Sequence, residues 1–598
     1  MCGIVGYAGD EDALPVLVDG LRRLEYRGYD SAGVCLRTEP LTVYKKAGEV
    51  GELASVVPES SDSTCGLGHT RWSTHGEPTD ENAHPHLGCD ARYAVVHNGI
   101  IENYDELRDE LEETGHAFES QTDTEVVPHL LEEADGGLVE RLSSVVERLE
   151  GSYAVACTSA ETDEVVVARQ DSPLVVGRGE DANYLGSDVT AFVEHTRRVS
   201  YLHDGDVARI TSGGVEVWND GARVERDVET VDWDVEAAEK GGYEHYMLKE
   251  IHEQPRSLRK TISERTDETE GEALIDVSQD VLTQSRRVEF VACGTSYHAA
   301  LYARRLFEEH ADMPATAEYA SEYDGPHDPE NTLVVAVTQS GETADTLSAT
   351  RRAAREGATT LAVTNTVGST AARETDEVVY IRAGPEIGVA ATKTFASQVV
   401  TLALVAVAAG RVRDTLPAAE ASSILSDLKR VPGAVQKILD NEDAVEDAAA
   451  EYGYDDAFFF IGRRLGVSVA LEGALKLKEV SYDHAEGFPA GELKHGPLAL
   501  VTPNTPVLAV LTDGTRPEET LNNVKEVESR GAPVVAVTST DTDEAKRLAD
   551  AAFTVPSLGE MEPLLANVYL QLFAYHVARL KDRPIDKPRN LAKSVTVE

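Results

Sequence analysis

Short apolar runs alternate with polar turns over the first 220 or so residues. Ile4–Tyr7, Ala94–Val96, Tyr153–Thr158, Glu164–Arg169 and Val207–Ile210 read as strands. Glu102–Glu113 reads as a helix, with Leu107 and Leu111 at an i, i+4 spacing on an acidic segment. From Val224 to Gly242 the text turns to charge and glycine (VERDVETVDWDVEAAEKGG), a linker signature. Tyr243–Gln254 then predicts a helix that opens a second region. There the strands become continuously apolar, and the pattern is written twice. One copy reads VEFVACGTSYHAA, LVVAVTQSGETADTLSA, TTLAVTNT; the other reads AFFFIGRRLGVSVALEGAL, TPVLAVLTDG, APVVAVTST. Each predicts three parallel strands separated by helices, hence two doubly wound α/β halves with both sheet faces covered. The expected division is 2–220, a linker at 221–245, halves at 246–430 and 431–585, and a tail at 586–598. Val399–Gly410 is the longest apolar run, short of the ~20 residues that span a bilayer, and predicts a buried helix.

At 598 residues the chain has room for about four domains. Its charge changes the picture: 55 Lys+Arg against 106 Asp+Glu leave −51, spread over the whole length. Such a surface repels phosphate backbones and anionic lipid, so neither nucleic acid nor membrane is an expected partner. It suits a salt-loaded cytoplasm, where screening lengths shrink to a few ångströms. The opening residues carry no basic and apolar leader pattern, which agrees with a cytoplasmic location. The six cysteines (Cys2, Cys35, Cys65, Cys89, Cys157 and Cys293) include no C-x-x-C pair, so neither a disulfide framework nor a structural zinc site is expected.

Cys2 follows Met1 directly. Removal of Met1 would leave a cysteine carrying both a thiol nucleophile and an α-amine base. Around it stand CGIVGY, LEYRGYDSAG (Leu24–Gly33), HTRWSTHG (His69–Gly76), NAHPH (Asn82–His86), VVHNGIIENY (Val95–Tyr104) and TDTE (Thr122–Glu125). In this order the blocks resemble the N-terminal nucleophile amidotransferases, which hydrolyse glutamine. The resemblance implies an αββα N-terminal nucleophile hydrolase domain. Glutamine presents a carboxylate, an ammonium and an amide, and the resemblance gives each a partner. Arg71 forks onto the carboxylate, Asp123 meets the ammonium, and Asn98 with the Gly99 N–H forms the oxyanion hole. Arg27 would order Cys2, Thr74 and His75 would line the pocket, and Trp72 would gate the passage to a second active site. His84 and His86 are expected in a turn with polar contacts, not on a metal.

In the second region TQSGETADT (Thr338–Thr346) follows an apolar strand and opens a helix, an arrangement that binds anions through N–H and hydroxyl groups. Gln339, Ser340 and Thr343 are natural ligands for a sugar phosphate, and CGTSYHA offers Ser296 in the same setting. Helix capping is the plain alternative. Glu472, Lys476 and Glu479 share a helix face, a spacing equally common in exposed salt-bridged stripes. The region as a whole resembles the sugar isomerase (SIS) fold, built as two similar halves. The resemblance implies Glu479 as the proton-transferring base and Lys476 as its charge support. It implies His495 as the ring-opening residue, reaching a neighbouring subunit and so requiring a dimer. It implies Lys593, beside Ala592, as a Schiff-base amine, and Val389 and Ala390 as contacts to the sugar or to the ammonia path. Thr338 stands where the family usually carries Ser.

The order of amidotransferase, linker and two isomerase halves implies one activity. Glutamine and fructose 6-phosphate would give glutamate and glucosamine 6-phosphate, the first step of amino-sugar biosynthesis, with no metal or redox cofactor. The alternatives are an amidotransferase for a different sugar phosphate and a non-catalytic sugar-phosphate sensor.

Overall fold

The structure is a computed structural model describing residues 2–72, 76–231, 240, 242–455, 457–539 and 543–595. The chain forms two compact units, Met1–Ala238 with Ala592–Glu598, and Glu239–Leu591.

The first unit stacks two antiparallel sheets of eight and seven strands. Gly3–Gly9 lies between Ala182–Gly186 and Cys65–Arg71, and Tyr93–Ile101 pairs with Gly151–Ser159 in the other sheet. Ile4, Ala8, Leu67, Val96, Ala154, Val167 and Leu185 share the apolar layer between the sheets. The first strand is buried along its whole length because its other face is covered too. Helix Ala13–Leu24 packs there, and Gly20 lets it approach Val5 closely. Asp12 caps that helix by accepting from the Leu14 N–H at 3.1 Å. Helices Tyr104–Thr114, Val126–Glu133 and Leu138–Val146 supply Leu107, Leu111, Val127, Leu131 and Leu142 to the layer over the second sheet. The arrangement is the αββα sandwich that the sequence implied.

The expected linker is in part structured. Ala222–Val224 and Glu229–Thr230 are edge strands, one on each sheet; residues 232–239 and 241 lie outside the described residues. The following helix spans Tyr246–Ile262 and runs through Pro255. Proline signals a helix end in sequence, but Leu258, Thr261 and Ile262 are buried beyond it. Thr261 donates to the Ile381 carbonyl at 2.7 Å.

The second unit holds two five-stranded parallel sheets of identical topology. Their strand order is 2-1-3-4-5, counting from Arg287–Ala292 in one half and from Ala457–Gly462 in the other. The doubled pattern is therefore a doubled fold, with five strands per half where the sequence predicts three. The additional strands are the sheet edges: Ala315–Tyr319, Glu377–Tyr380, His484–Pro489 and Ala551–Val555. An edge strand is only half covered, so it lacks the continuous apolar run that marks its neighbours. One apolar core joins the halves, with Phe290, Val335, Phe460 and Val510 among its members. Helix Lys393–Val412 is long and apolar enough to cross a membrane, and most of it is buried in this core.

Two candidate active sites

The amidotransferase site gathers at one end of the strands Gly3–Gly9, Cys65–Arg71 and Tyr93–Ile101. The Cys2 sulfur accepts from the Trp72 N–H at 3.3 Å and lies 3.5 Å from its carbonyl. Arg27 Nε and Asn98 Nδ2 both donate to the Cys2 carbonyl, at 3.2 and 3.1 Å, fixing the backbone of that residue. Arg27 also faces Asp188 at 3.6 Å. Gly99 has φ +126°, and a Cβ there would stand 2.0 Å from the Ser152 carbonyl oxygen, so only glycine fits. The strand bend it permits leads to Ile101, whose N–H donates to Asp123 at 2.9 Å. Asp123 and Arg71 are both buried; Arg71 donates to the Gly76 and Glu77 carbonyls at 3.3 and 3.4 Å. Thr74 and His75 lie outside the described residues.

Histidines that the sequence blocks contain, but to which no role was assigned, organise this site. His69 Nε2 sits 3.1 Å from the Asn98 side-chain oxygen, and His97 Nδ1 lies 2.9 Å from the Thr124 hydroxyl. His69 stacks on His84 at 4.2 Å, and His84 meets His86 at 4.7 Å. Burial is the main cause that pushes these imidazoles toward neutrality, taking His69 and His86 down to about 3 and His84 well below its usual range. His84 Nδ1 accepts from the His97 N–H at 3.3 Å, and His86 Nε2 lies 3.0 Å from the Thr122 hydroxyl. Both have polar partners, as the sequence led us to expect.

In the second unit the loops after strands one and three of the first half flank the point where the strand order reverses. Ligands bind at such points, beyond the strand C-termini. The loop after strand one leads into helix Gly294–His310, whose first turn carries Thr295 and Ser296; the loop after strand three carries Thr338–Thr343 and enters helix Ala344–Glu356. Thr343 occupies the N-cap position, yet its hydroxyl makes no capping bond and lies 3.4 Å from the Thr338 hydroxyl. Capping therefore does not account for it. Thr338 accepts from the Gly341 N–H at 3.1 Å and Ser340 from the Glu342 N–H, also at 3.1 Å, which curls the loop. Gln339 is half-buried and its carbonyl accepts from the Asn365 N–H. Gln398 on the buried helix donates to the Ser296 hydroxyl at 2.9 Å.

Glu472, Lys476 and Glu479 lie on helix Leu465–Ser481 and form no exposed stripe. Glu472 and Lys476 are fully buried. The Lys476 ammonium reaches Glu472 at 3.4 Å, Glu479 at 2.6 Å and the Thr295 hydroxyl at 3.0 Å. Glu472 also accepts from Thr295 at 3.0 Å and lies 2.8 Å from His298 Nδ1. Burial opposes both charges, but the partners prevail: Lys476 and His298 hold Glu472 below its usual value, while Glu472 and Glu479 hold Lys476 above its own. Thr295 and His298 lie in the CGTSYHA block, but their contacts with Glu472 and Lys476 become visible only once the halves pack. Val389 is buried and its N–H donates to the Asp586 carbonyl at 3.2 Å. His495 is exposed on the turn Ala490–His495. Ala592 and Lys593 are half-buried in the tail, which belongs to the first unit.

Comparison with known proteins agrees with this division. A family model described as a glutamine amidotransferase domain matches residues 69–194, and one described as the SIS domain matches residues 281–408 and 456–581. A Halobacterium salinarum protein named glutamine--fructose-6-phosphate aminotransferase [isomerizing] is 58% identical over 100% of both chains. A protein of the same name from Thermus thermophilus is 49% identical, also over 100% of both. Among solved structures, the C-terminal domain of glucosamine-fructose-6-phosphate aminotransferase from Francisella tularensis covers 58% of this chain and 100% of its own. It matches with 35% identity and a TM-score of 0.56.

Two outcomes follow from the buried groups. The unfolded chain protonates His69, His84 and His86 near 6.5, whereas in the folded chain His69 and His86 are held down to about 3 and His84 well below its usual range. The unfolded state therefore binds more protons between these values, and stability present above pH 6.5 is lost as the pH falls. At constant salt, the urea midpoint of the first unit should drop between pH 6.5 and 5, above the usual carboxylate range; a flat midpoint there contradicts it. Lys476→Met strands Glu472 in the core and should cost about 3–5 kcal/mol, read in urea unfolding of the second unit. An unchanged midpoint would show that the ammonium is not needed to hold that carboxylate.

Proposed function

The chain belongs to the glutamine–fructose-6-phosphate aminotransferase family, and on that premise we propose that it converts fructose 6-phosphate and glutamine to glucosamine 6-phosphate and glutamate. The observation that carries the reading is the pairing, in one chain, of an ordered terminal-cysteine site with phosphate-type loops at a switch point. After loss of Met1, the Cys2 α-amine takes the thiol proton and the sulfur attacks the glutamine amide carbon. Arg71 holds the substrate carboxylate and Asp123 its ammonium. Asn98 Nδ2 and the Gly99 N–H stabilise the tetrahedral oxyanion, which requires Asn98 to leave the Cys2 carbonyl. Ammonia departs, and water releases glutamate from the thioester. Trp72, whose N–H meets the nucleophile, registers the state of that sulfur.

At the sugar site, Ser296, Thr338, Gln339, Ser340 and Thr343 hold the phosphate of fructose 6-phosphate. His495, supplied by a partner subunit in a homodimer, opens the ring. Lys593 condenses with the C2 ketone and loses water; ammonia then displaces the lysine. Glu479 moves a proton from C1 to C2, turning the ketimine into the aldose amine. Its pairing with Lys476 supports a carboxylate in the resting site, ready to accept that proton. Ala592 and Val389 border the sugar. The acidic composition supports a salt-rich cytoplasm as the setting. A different sugar-phosphate acceptor or a silent sensor has no observation of its own to favour it.

Cys2→Ala should reduce glutamine-dependent synthesis to background while ammonia-dependent synthesis survives; full glutamine use by the variant contradicts the assignment. Removing salt should unfold or inactivate the enzyme, because −51 charges then repel over a screening length that is about 3 Å at 1 M and tenfold longer at 0.01 M. A circular-dichroism and activity series in potassium chloride reads this, and equal activity at both ends overturns the salt-adapted reading.

A further inference from the structure

Away from both sites, the amidotransferase unit gathers four side chains from three segments. Cys89 stands in the loop after the strand His86–Leu87. His116 follows the helix Tyr104–Thr114, and His129 and Glu132 lie one turn apart on the helix Val126–Glu133. One atom from each, the Cys89 sulfur, the two Nδ1 nitrogens and a Glu132 oxygen, lies within 4.8 Å of the other three. The separations are 3.7 and 3.6 Å from the sulfur to His116 and His129. They are 3.1 Å between the nitrogens, and 3.3 and 3.5 Å from Glu132 Oε2 to each nitrogen. Bonds of about 2.3 Å to sulfur and 2.0–2.2 Å to nitrogen and oxygen give tetrahedral edges of roughly 3.3–3.6 Å. The cluster has nearly those dimensions.

The far sides of the rings point the same way. His116 Nε2 lies 3.3 Å from Glu133, and His129 Nε2 faces Glu125 at 3.9 Å. A carboxylate behind each imidazole is the outer-shell arrangement of a metal-bound histidine, which leaves both Nδ1 atoms on the inner side beside a thiol and a carboxylate. Two ring nitrogens, a sulfur and a carboxylate oxygen thus converge on one point at the spacing a bound cation requires. His129 is almost fully buried while Cys89 is exposed, which leaves an entry path from solvent.

We propose that Cys89, His116, His129 and Glu132 bind one zinc ion or a similar divalent transition metal. Thiolate and carboxylate balance its two charges, and the soft sulfur with two imidazoles favours zinc over magnesium or calcium. With four protein ligands the site is structural. Its place in the chain gives it a use. Glu125, behind His129, also accepts the Glu119 and Ser120 N–H groups at 2.7 and 2.6 Å, and Asp123 lies in the loop so formed. The metal would clamp that loop to the Cys89 segment. No C-x-x-C pair announces this site, because its ligands lie 27, 13 and 3 residues apart in sequence.

The test uses the full chain, stripped with chelator and titrated with zinc against a chromophoric chelator, then with cobalt. One equivalent per chain should bind. The cobalt complex should show the intense visible bands of a tetrahedral thiolate site. Cys89→Ser should lose the sulfur-to-cobalt charge-transfer band and Cys2→Ala should keep it. Glu133→Gln, a partly exposed change behind His116, should weaken zinc binding about 10–100-fold without altering the circular dichroism. It decides the matter should Cys89→Ser fail to fold. No stoichiometric uptake, a charge-transfer band that survives Cys89→Ser, or unchanged affinity in Glu133→Gln overturns the proposal.

Discussion

A lysine ammonium with almost no exposed surface stands in the middle of the second unit, and the two halves meet around it. Lys476 and Glu472 come from the second half, while Thr295 and His298 come from helix Gly294–His310 of the first half. Taking these charges out of water costs several kcal/mol each. The cost is offset only if every partner is present at once, so the ion cluster fixes how one half sits on the other. Replacing the cluster with apolar residues could give a core as stable, but it would remove the ammonium that pairs with Glu479.

The fold was legible wherever burial was complete. Runs such as LVVAVT and PVVAVT are covered on both faces and read directly as parallel strands. Edge strands such as Ala315–Tyr319 keep half their surface in water and do not stand out from loops. Pro255 conceals the second half of a helix that tertiary contacts hold together. The amidotransferase site was legible because its residues lie in contiguous blocks; even Gly99, whose need for a positive φ is invisible in sequence, sits in one. His298 was not legible, because its significance depends on Glu472, 174 residues away.

The same contrast applies to the cysteines. Reading their spacing along the chain discards a metal site, since ligands from a loop, a helix end and a helix face leave no motif. The fold brings Cys89, His116, His129 and Glu132 together in three dimensions, with carboxylates behind both rings. Charge, too, is read differently at two scales. Over the surface, −51 is a solvation property that salt must screen. In the core, a carboxylate such as Glu472 is held by its own set of partners, and salt cannot replace them.

The central claim is that one chain couples glutamine hydrolysis to amination and isomerisation of a ketose phosphate. The most direct measurement is glucosamine 6-phosphate and glutamate formed from fructose 6-phosphate and glutamine in molar potassium chloride, on protein whose N-terminus is verified as Cys2. The account predicts both products in equal amounts. Glutamate without amino sugar, from folded protein with fructose 6-phosphate bound, would contradict it.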